Sequence, residues 1–242
     1  MTTPEGAGIY DGRPGPVSIG AAISWAFSVF RRNPTAFILL AAVVAVIQMV
    51  QQVATGPLQN IVTDCSNPQT PGQQAACQAA LGSGALLAIL TAIAFGVIAA
   101  IATIGVYHAA LRATSGEVPR FADLYSSQFT MQFILVTLAT IGLTFFGVLL
   151  CILPGLLALF FLQLAPFYVL DSGPGVRESL LRSTRAIRAN VAPALLLLLL
   201  TFLVNALGST LYGVLTLLTL PFVSLVTAHV YRQFNGQPIA AP

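Results

Sequence analysis

Long stretches without a single charge constrain this chain more than any other feature. Uncharged runs cover 33 to 63, 65 to 111, 124 to 170 and 189 to 231, and the last three are 47, 47 and 43 residues long. A helix crosses a bilayer with ~20 apolar residues, so each of those three runs has room for two crossings. Only 7% of the 242 residues are charged and 57% are hydrophobic, whereas a soluble domain carries about 25% charged residues. So few polar groups cannot cover a water-soluble particle of this size. The class that follows is an all-α integral membrane protein.

Residues 1 to 16 are rich in Gly and Pro, hold Glu5, Asp11 and Arg13 and lack an apolar period, so a disordered cytoplasmic tail is expected. The first long apolar run begins only at Thr35, which argues against a signal peptide. From Val17 to Arg32 the pattern is that of an amphipathic helix lying in the membrane interface. Ile19, Ala22, Ile23, Ala26, Phe27, Val29 and Phe30 share one side, Ser24, Ser28, Arg31 and Arg32 lie opposite, and Trp25 falls at the edge, at headgroup depth. Asn33-Pro34 ends it, because a residue before proline is pushed out of the helical region.

Six transmembrane helices are expected, at about 35–54, 83–111, 130–151, 156–170, 192–211 and 213–231, in one membrane domain over 17–238 followed by a short tail, 239–242. A polar loop at 56 to 80 joins the first two, and Leu153-Pro154-Gly155 makes a tight turn between the third and fourth. Short surface segments precede the third and fifth spans, at 121 to 129 and 174 to 189. With this placement all ten arginines fall on one side of the membrane, and there is no lysine. The positive-inside rule then puts both termini in the cytoplasm.

A repeat is also legible. Three times a surface segment leads into a span that goes out and one that returns. NPTAFILL resembles NVAPALLLL, and Arg112 precedes Gly116-Glu117 by the same four residues that separate Arg232 from Gly236-Gln237. Three α-hairpin repeats are one reading; the periodicity of any up-and-down bundle with short loops is the other.

Chemistry-bearing groups are sparse. No Asp, Glu or Arg falls inside an expected span, which counts against ion-coupled transport. Gln48, Gln163 and Asn205 read as hydrogen-bonding links between helices. His108 and His229 stand near the cytoplasmic ends of returning spans, with no Cys or carboxylate spaced to complete a metal site. HExxH, GxSxG, Walker and GxGxxG motifs are all missing. No catalytic residue, cofactor or metal ligand is therefore named, and a nucleic-acid partner is excluded because the arginines follow span ends rather than one basic face.

Two groups of residues remain as candidates. Cys65 and Cys77, twelve residues apart in the loop assigned outside, are expected to form a disulfide worth about 3 kcal/mol. Cys151 is then left as a small hydrophobe. In the segment 174 to 189, Val176, Leu180, Ser183, Thr184 and Ile187 form a narrow face, while Arg177, Arg182, Arg185 and Arg188 fan across the other and Glu178 can pair with Arg182. These four arginines are candidates for anionic lipid headgroups, at roughly 1 kcal/mol each.

SIGAAISWAFSVFRRNPTAF, LAPFYVLDSGPGVRESLLRSTRAIRAN and AHVYRQFNGQPIA, with Asp171, Gly173, Glu178, Leu181 and Ser183 in the middle stretch, resemble a group of bacterial multi-pass proteins. That group looks related to the membrane domain of glycerophosphoryl diester phosphodiesterases, and the resemblance covers roughly 17 to 238. It implies a bacterial plasma membrane. It carries over no hydrolysis, since the catalytic barrel lies outside the matching residues.

The expected function is noncatalytic, either scaffolding a protein partner or organising lipid; a permease component for an apolar or lipid-like solute is the alternative. Partners are the bilayer, its anionic headgroups, and a protein partner or a second copy of the chain. Small residues at 82 to 85, Gly96 and Gly105 would permit close helix packing.

Overall fold

The computed structural model describes residues 17–64, 70–118, 129–209 and 215–242. Everything regular among them is helical: α1 Ile19–Arg32, α2 Pro34–Asp64, α3 Pro71–Thr114, α4 Thr130–Leu150, α5 Ile152–Leu162, α6 Ala165–Ser172, α7 Val176–Ala189, α8 Val191–Ser209 and α9 Thr216–Phe234. The expected tail at 1–16 and most of the surface segment at 121–129 lie outside the described residues, as does Cys65.

Four described stretches are long and apolar enough to cross a membrane: Pro34–Gly56, Ala94–Thr114, Thr130–Leu150 and Ile152–Ser172. A fifth arises if Val176–Ala189 and Val191–Ala206 count together as one span bent by 110°. The last turns of α9 carry His229, Arg232 and Gln233, which dilute its apolar character.

The first two spans are much longer as helices than the sequence implied. α2 has 31 residues and α3 has 44, about 46 Å and about 66 Å at 1.5 Å per residue, well beyond the ~30 Å hydrocarbon core. The polar segment expected as a loop at 56–80 is therefore mostly helix, and α2 and α3 continue past the apolar layer together.

Single residues make the sharpest joints. Asn33 separates α1 from α2 and Asn190 separates α7 from α8, with nearly the same torsions, φ −133°, ψ 53° and φ −136°, ψ 50°. In each case the Asn backbone N–H still donates to the helix it closes, on Val29 and Ile187 respectively. Pro34 explains the first joint. Pro193 sits in the first turn of α8, where its missing N–H costs nothing. The α4–α5 turn is tighter than expected and lies earlier, at Cys151 alone in extended backbone (φ −174°, ψ 150°), while Pro154 falls in the first turn of α5. Two glycines make this possible. A Cβ on Gly147 would come within 2.7 Å of the Gly155 backbone, and one on Gly155 within 2.6 Å of the Val148 nitrogen. Gly96, in contrast, has nothing near it.

The three helices that return toward the arginine-rich end, α3, α6 and α9, are followed by Gly116, Gly173 and Gly236, all with positive φ (82°, 62° and 61°). At two of them the closure is the same: Glu117 N–H donates to Arg112 O and Gln237 N–H to Arg232 O. This is the six-to-one bond that pairs with a left-handed glycine.

The core forms around α9, where every residue from Ser224 to Tyr231 is buried. Ser224 and Thr227 meet burial by donating to the carbonyls of Leu220 and Val223, at 2.7 and 2.8 Å. α1 packs along α9 rather than along its sequence neighbour α2. Its buried face is Ala22, Trp25, Ala26 and Val29, with Phe27 exposed. This corrects the expected orientation: Trp25 points inward, its ring 5.1 Å from that of His229 and its Nε1–H donating to the Ala240 carbonyl at 2.9 Å. An indole gains more from dry packing with its one donor satisfied than from an open interface.

Candidate functional site

The four arginines expected to meet lipid are all on α7, and all four are exposed. The opposite side of that helix is Ser179, Ser183 and Ile187, each fully buried at a spacing of four. Small hydroxyl side chains let the backbones approach: Ser179 Oγ donates to Gly175 O at 3.1 Å, and Ser183 Oγ to Phe161 O of α5 at 2.7 Å. Val176 and Leu180 pack against the same core. The apolar face of α7 is therefore packed on protein, and the helix turns its charged side outward.

On that side Arg182 and Glu178 form the expected pair at 2.9 Å. The hydrogen bond from Arg182 holds the Glu178 carboxyl below the ordinary glutamate range, helped by the charges of Arg182, Arg185 and Arg177. Arg188 lies over the Phe161 ring, its guanidinium carbon 5.6 Å from the centroid. One carboxylate among four cations leaves a net positive strip. Glu178 in the first turn and Arg188 in the last also suit the helix dipole.

A second polar centre was not anticipated as a unit. Arg232 at the end of α9 pairs with Asp171 of α6 at 3.1 Å, both side chains only about 15% exposed. Its Nε donates to Thr114 Oγ1 of α3 at 3.0 Å, and another nitrogen to Gln237 Oε1 at 2.7 Å. Asp171 in turn accepts from Tyr231 Oη at 2.8 Å and from Gln237 Nε2 at 3.4 Å. Beside it Tyr168 Oη donates to Asn235 Oδ1 at 2.9 Å. The ends of α3, α6 and α9 thus meet on one guanidinium. The chain after α9 is fastened there too, with Ala240 N–H donating to Thr114 O at 2.8 Å. Arg112 repeats part of the pattern, reaching Glu117 five residues on as Arg232 reaches Gln237. A signal for this pairing was present: Asp171 and Arg232 are isolated charges at the ends of two returning spans, and ends on one side of a bundle can meet.

The remaining candidates are dispersed. Cys77 is disulfide-bonded and Cys151 is free and exposed, but the expected partner Cys65 is outside the described residues. Gln163 Nε2 donates to Ala194 O of α8 at 3.2 Å, an interhelical link as expected, whereas Asn205 donates to Thr201 O within its own helix. His229 is buried with both ring nitrogens lacking a protein partner. Among the described residues no three His, Cys, Asp or Glu side chains gather as a metal would require. A shallow apolar recess of about 330 Å³, lined by Met49, Val50, Val53 and Ala54, opens on α2.

The chain is similar to uncharacterized proteins of mycobacteria. It is 24% identical over 225 residues to Mb2590 of Mycobacterium bovis and to MT2637 of Mycobacterium tuberculosis, covering 90% of this chain and 69% of each relative. Identity to Rv2560 of Mycobacterium tuberculosis is 23% over the same span. No protein-family profile matches, and no solved structure does.

Proposed function

We propose that this is a noncatalytic multi-pass protein of the bacterial plasma membrane, with both termini cytoplasmic, that organises anionic lipid through the charged side of α7 or scaffolds a partner there. The observation that carries this reading is that α7 spends its neutral face on the bundle and turns four arginines outward with one carboxylate among them. Such a strip attracts phosphate headgroups at roughly 1 kcal/mol per arginine. Replacing Arg182, Arg185 and Arg188 by Gln is expected to weaken the binding of anionic lipid by the protein embedded in nanodiscs by about a hundredfold, some 3 kcal/mol. The wild-type effect should fade with salt, since the Debye length is about 8 Å at physiological ionic strength. Unchanged binding at low salt would leave the arginines as topology markers and move the role to a protein partner.

We also infer that the six apolar helices are three pairs related by an internal repeat, each closed by a left-handed glycine. The matching torsions at Asn33 and Asn190 and the matching Arg112 and Arg232 braces support it. Kinship with the membrane domain of glycerophosphoryl diester phosphodiesterases belongs to the same proposal. It rests on the resemblance of the sequence stretches alone, within which Asp171 holds Arg232 and Gly173 closes α6. A second reading, a permease component for an apolar or lipid-like solute, draws on the recess over Met49 and Val53. Solute flux into proteoliposomes separates the two.

A further inference from the structure

α1 is seated in the bundle by Ala22, Trp25, Ala26 and Val29, yet one line of it stays open. Gly20, Ser24, Phe27 and Arg31 recur at steps of four, three and four residues, share one face and are all exposed, with Arg32 exposed beside them. Phe27 is 55% exposed, and the Arg31 guanidinium carbon lies 5.7 Å from the centroid of its ring. Neither Arg31 nor Arg32 has a carboxylate partner among the described residues. The strip is therefore a phenyl ring beside two uncompensated cations.

Its place in the chain says what meets it. Only Asn33 separates Arg32 from α2, whose apolar stretch Pro34–Gly56 is long enough to cross a membrane. Phe27 is seven residues before Pro34, so it lies within about 10 Å of the point of entry whichever way α1 is inclined. An interfacial helix puts its apolar groups about 5–10 Å into the boundary between headgroups and acyl chains. Beyond the joint, exposed apolar side chains resume at Leu39, about two turns after the arginines.

α7 offers a comparison. Arg188 stands two residues before Asn190 as Arg31 stands two before Asn33, and it too covers a phenyl ring, that of Phe161, at 5.6 Å. There the ring belongs to α5, and α7 itself exposes no large apolar side chain. The α7 strip can hold lipid by charge alone; that of α1 adds an aromatic group.

We propose that Phe27, Arg31 and Arg32 form a second lipid seat, in which the two guanidinium groups hold the phosphate of an anionic lipid and the phenyl ring enters the glycerol and upper acyl region beside it. Stacking on the ring leaves the edge of the Arg31 guanidinium, with its N–H donors, free for phosphate oxygens. The two aromatic side chains of α1 then have opposite partners: Trp25 fastens the helix to α9 and Phe27 fastens it to the leaflet.

This inference rests on the membrane embedding proposed above but not on headgroup binding by α7. Trp25 is the only tryptophan and is 4% exposed, so it supplies a reference for buried emission. The full chain carrying Phe27→Trp is reconstituted in nanodiscs of phosphatidylcholine and phosphatidylglycerol, with bromine high on the acyl chains of one lipid or the other. The wild-type chain is expected to be quenched little by either. The indole added by Phe27→Trp should be quenched by both, more by phosphatidylglycerol, and poorly by acrylamide in the water. Adding Arg31→Gln and Arg32→Gln should cut the preference for phosphatidylglycerol by about fivefold each, while quenching by phosphatidylcholine persists. Raised salt should likewise remove the preference but not the quenching, because only the charge attraction is screened. With Phe27 left native, the same arginine changes should leave Trp25 emission as it is, so that a lost preference reports the headgroup and not an unseated helix. Strong acrylamide quenching without quenching by bromolipid would put the strip in water, open to an acidic protein surface, and overturn the proposal. Equal quenching by the two lipids, insensitive to the arginine changes, would overturn it as well. Replacing Arg182, Arg185 and Arg188 by Gln should leave the signal from position 27 unchanged, which keeps the two readings separable. Loss of the preference in that variant would make α7 the seat and overturn this one.

Discussion

Asp171 is the residue on which most of the molecule's polar order depends. It has the Arg232 guanidinium at 3.1 Å and the Tyr231 hydroxyl at 2.8 Å, in a setting with little water. Removing one partner of a pair this buried strands the other charge, at a cost of about 3 kcal/mol. Asp171→Asn keeps the shape and the hydroxyl contact but loses the charge. It is expected to lower unfolding stability by about that amount, measured by denaturant titration in detergent, and Arg232→Gln in the same background should add little because the pair is already broken. Full additivity of the two changes would mean that they do not act as one unit. The sequence marked both residues as span-end charges but could not join them, because 61 positions separate them and only the bundle brings the ends together. Trp25 was misread for a related reason. Its placement at the edge of the apolar face was correct as angle, but the partner that turns it inward, His229, lies on the last described helix.

At the scale of elements, helix identity was legible where apolar runs are long and punctuated. Thr130 to Leu150 agrees with the expected third span to within a residue, and the Asn33 and Asn190 breaks fall where the proline rule and the changes of composition put them. The α2 and α3 extensions were not legible, because Gln-rich stretches with scattered Pro read as loop when no tertiary partner is known, although each helix supplies one for the other. The α4–α5 hairpin depends on two missing side chains. Gly155→Ala would push a methyl into the Val148 side chain and against its backbone nitrogen, and overpacking of this kind costs typically 1–3 kcal/mol. Loss of stability by that amount is expected in the same denaturant assay. Gly96→Ala, which meets nothing within 4 Å, serves as the control and should be neutral or slightly stabilising through helix propensity. Equal effects of the two would show that the glycine contact does not hold the turn.

For the whole molecule, the arginine partition makes one prediction. A reporter fused after residue 242 should report from the cytoplasm, and one inserted between residues 64 and 70 from the opposite side. A C-terminal reporter found outside would reverse the molecule and remove the headgroup reading of α7 with it. Thr114, Asp171 and Arg232 meet at one point, so the ends of α3, α6 and α9 lie on one side together. The all-helical, membrane-spanning class could be read from the chain, since it follows from local composition, whereas the described residues hold four or five apolar stretches of spanning length where six were expected. Which surfaces face protein and which face lipid could not, since in a membrane both are apolar and only packing distinguishes them.

Trp25 and Ala240, joined by one hydrogen bond, are 215 residues apart. During synthesis at about 5–20 residues per second, the groove that receives α1 does not exist until roughly 10 to 40 seconds after Trp25 has been made. On the membrane embedding proposed above, α1 would pass that interval as an amphipathic helix with an indole on its edge, beside the apolar surface of the bilayer. The amphipathic pattern of residues 19 to 32 would then suit both the surface where the helix waits and the groove of α9 where it finishes.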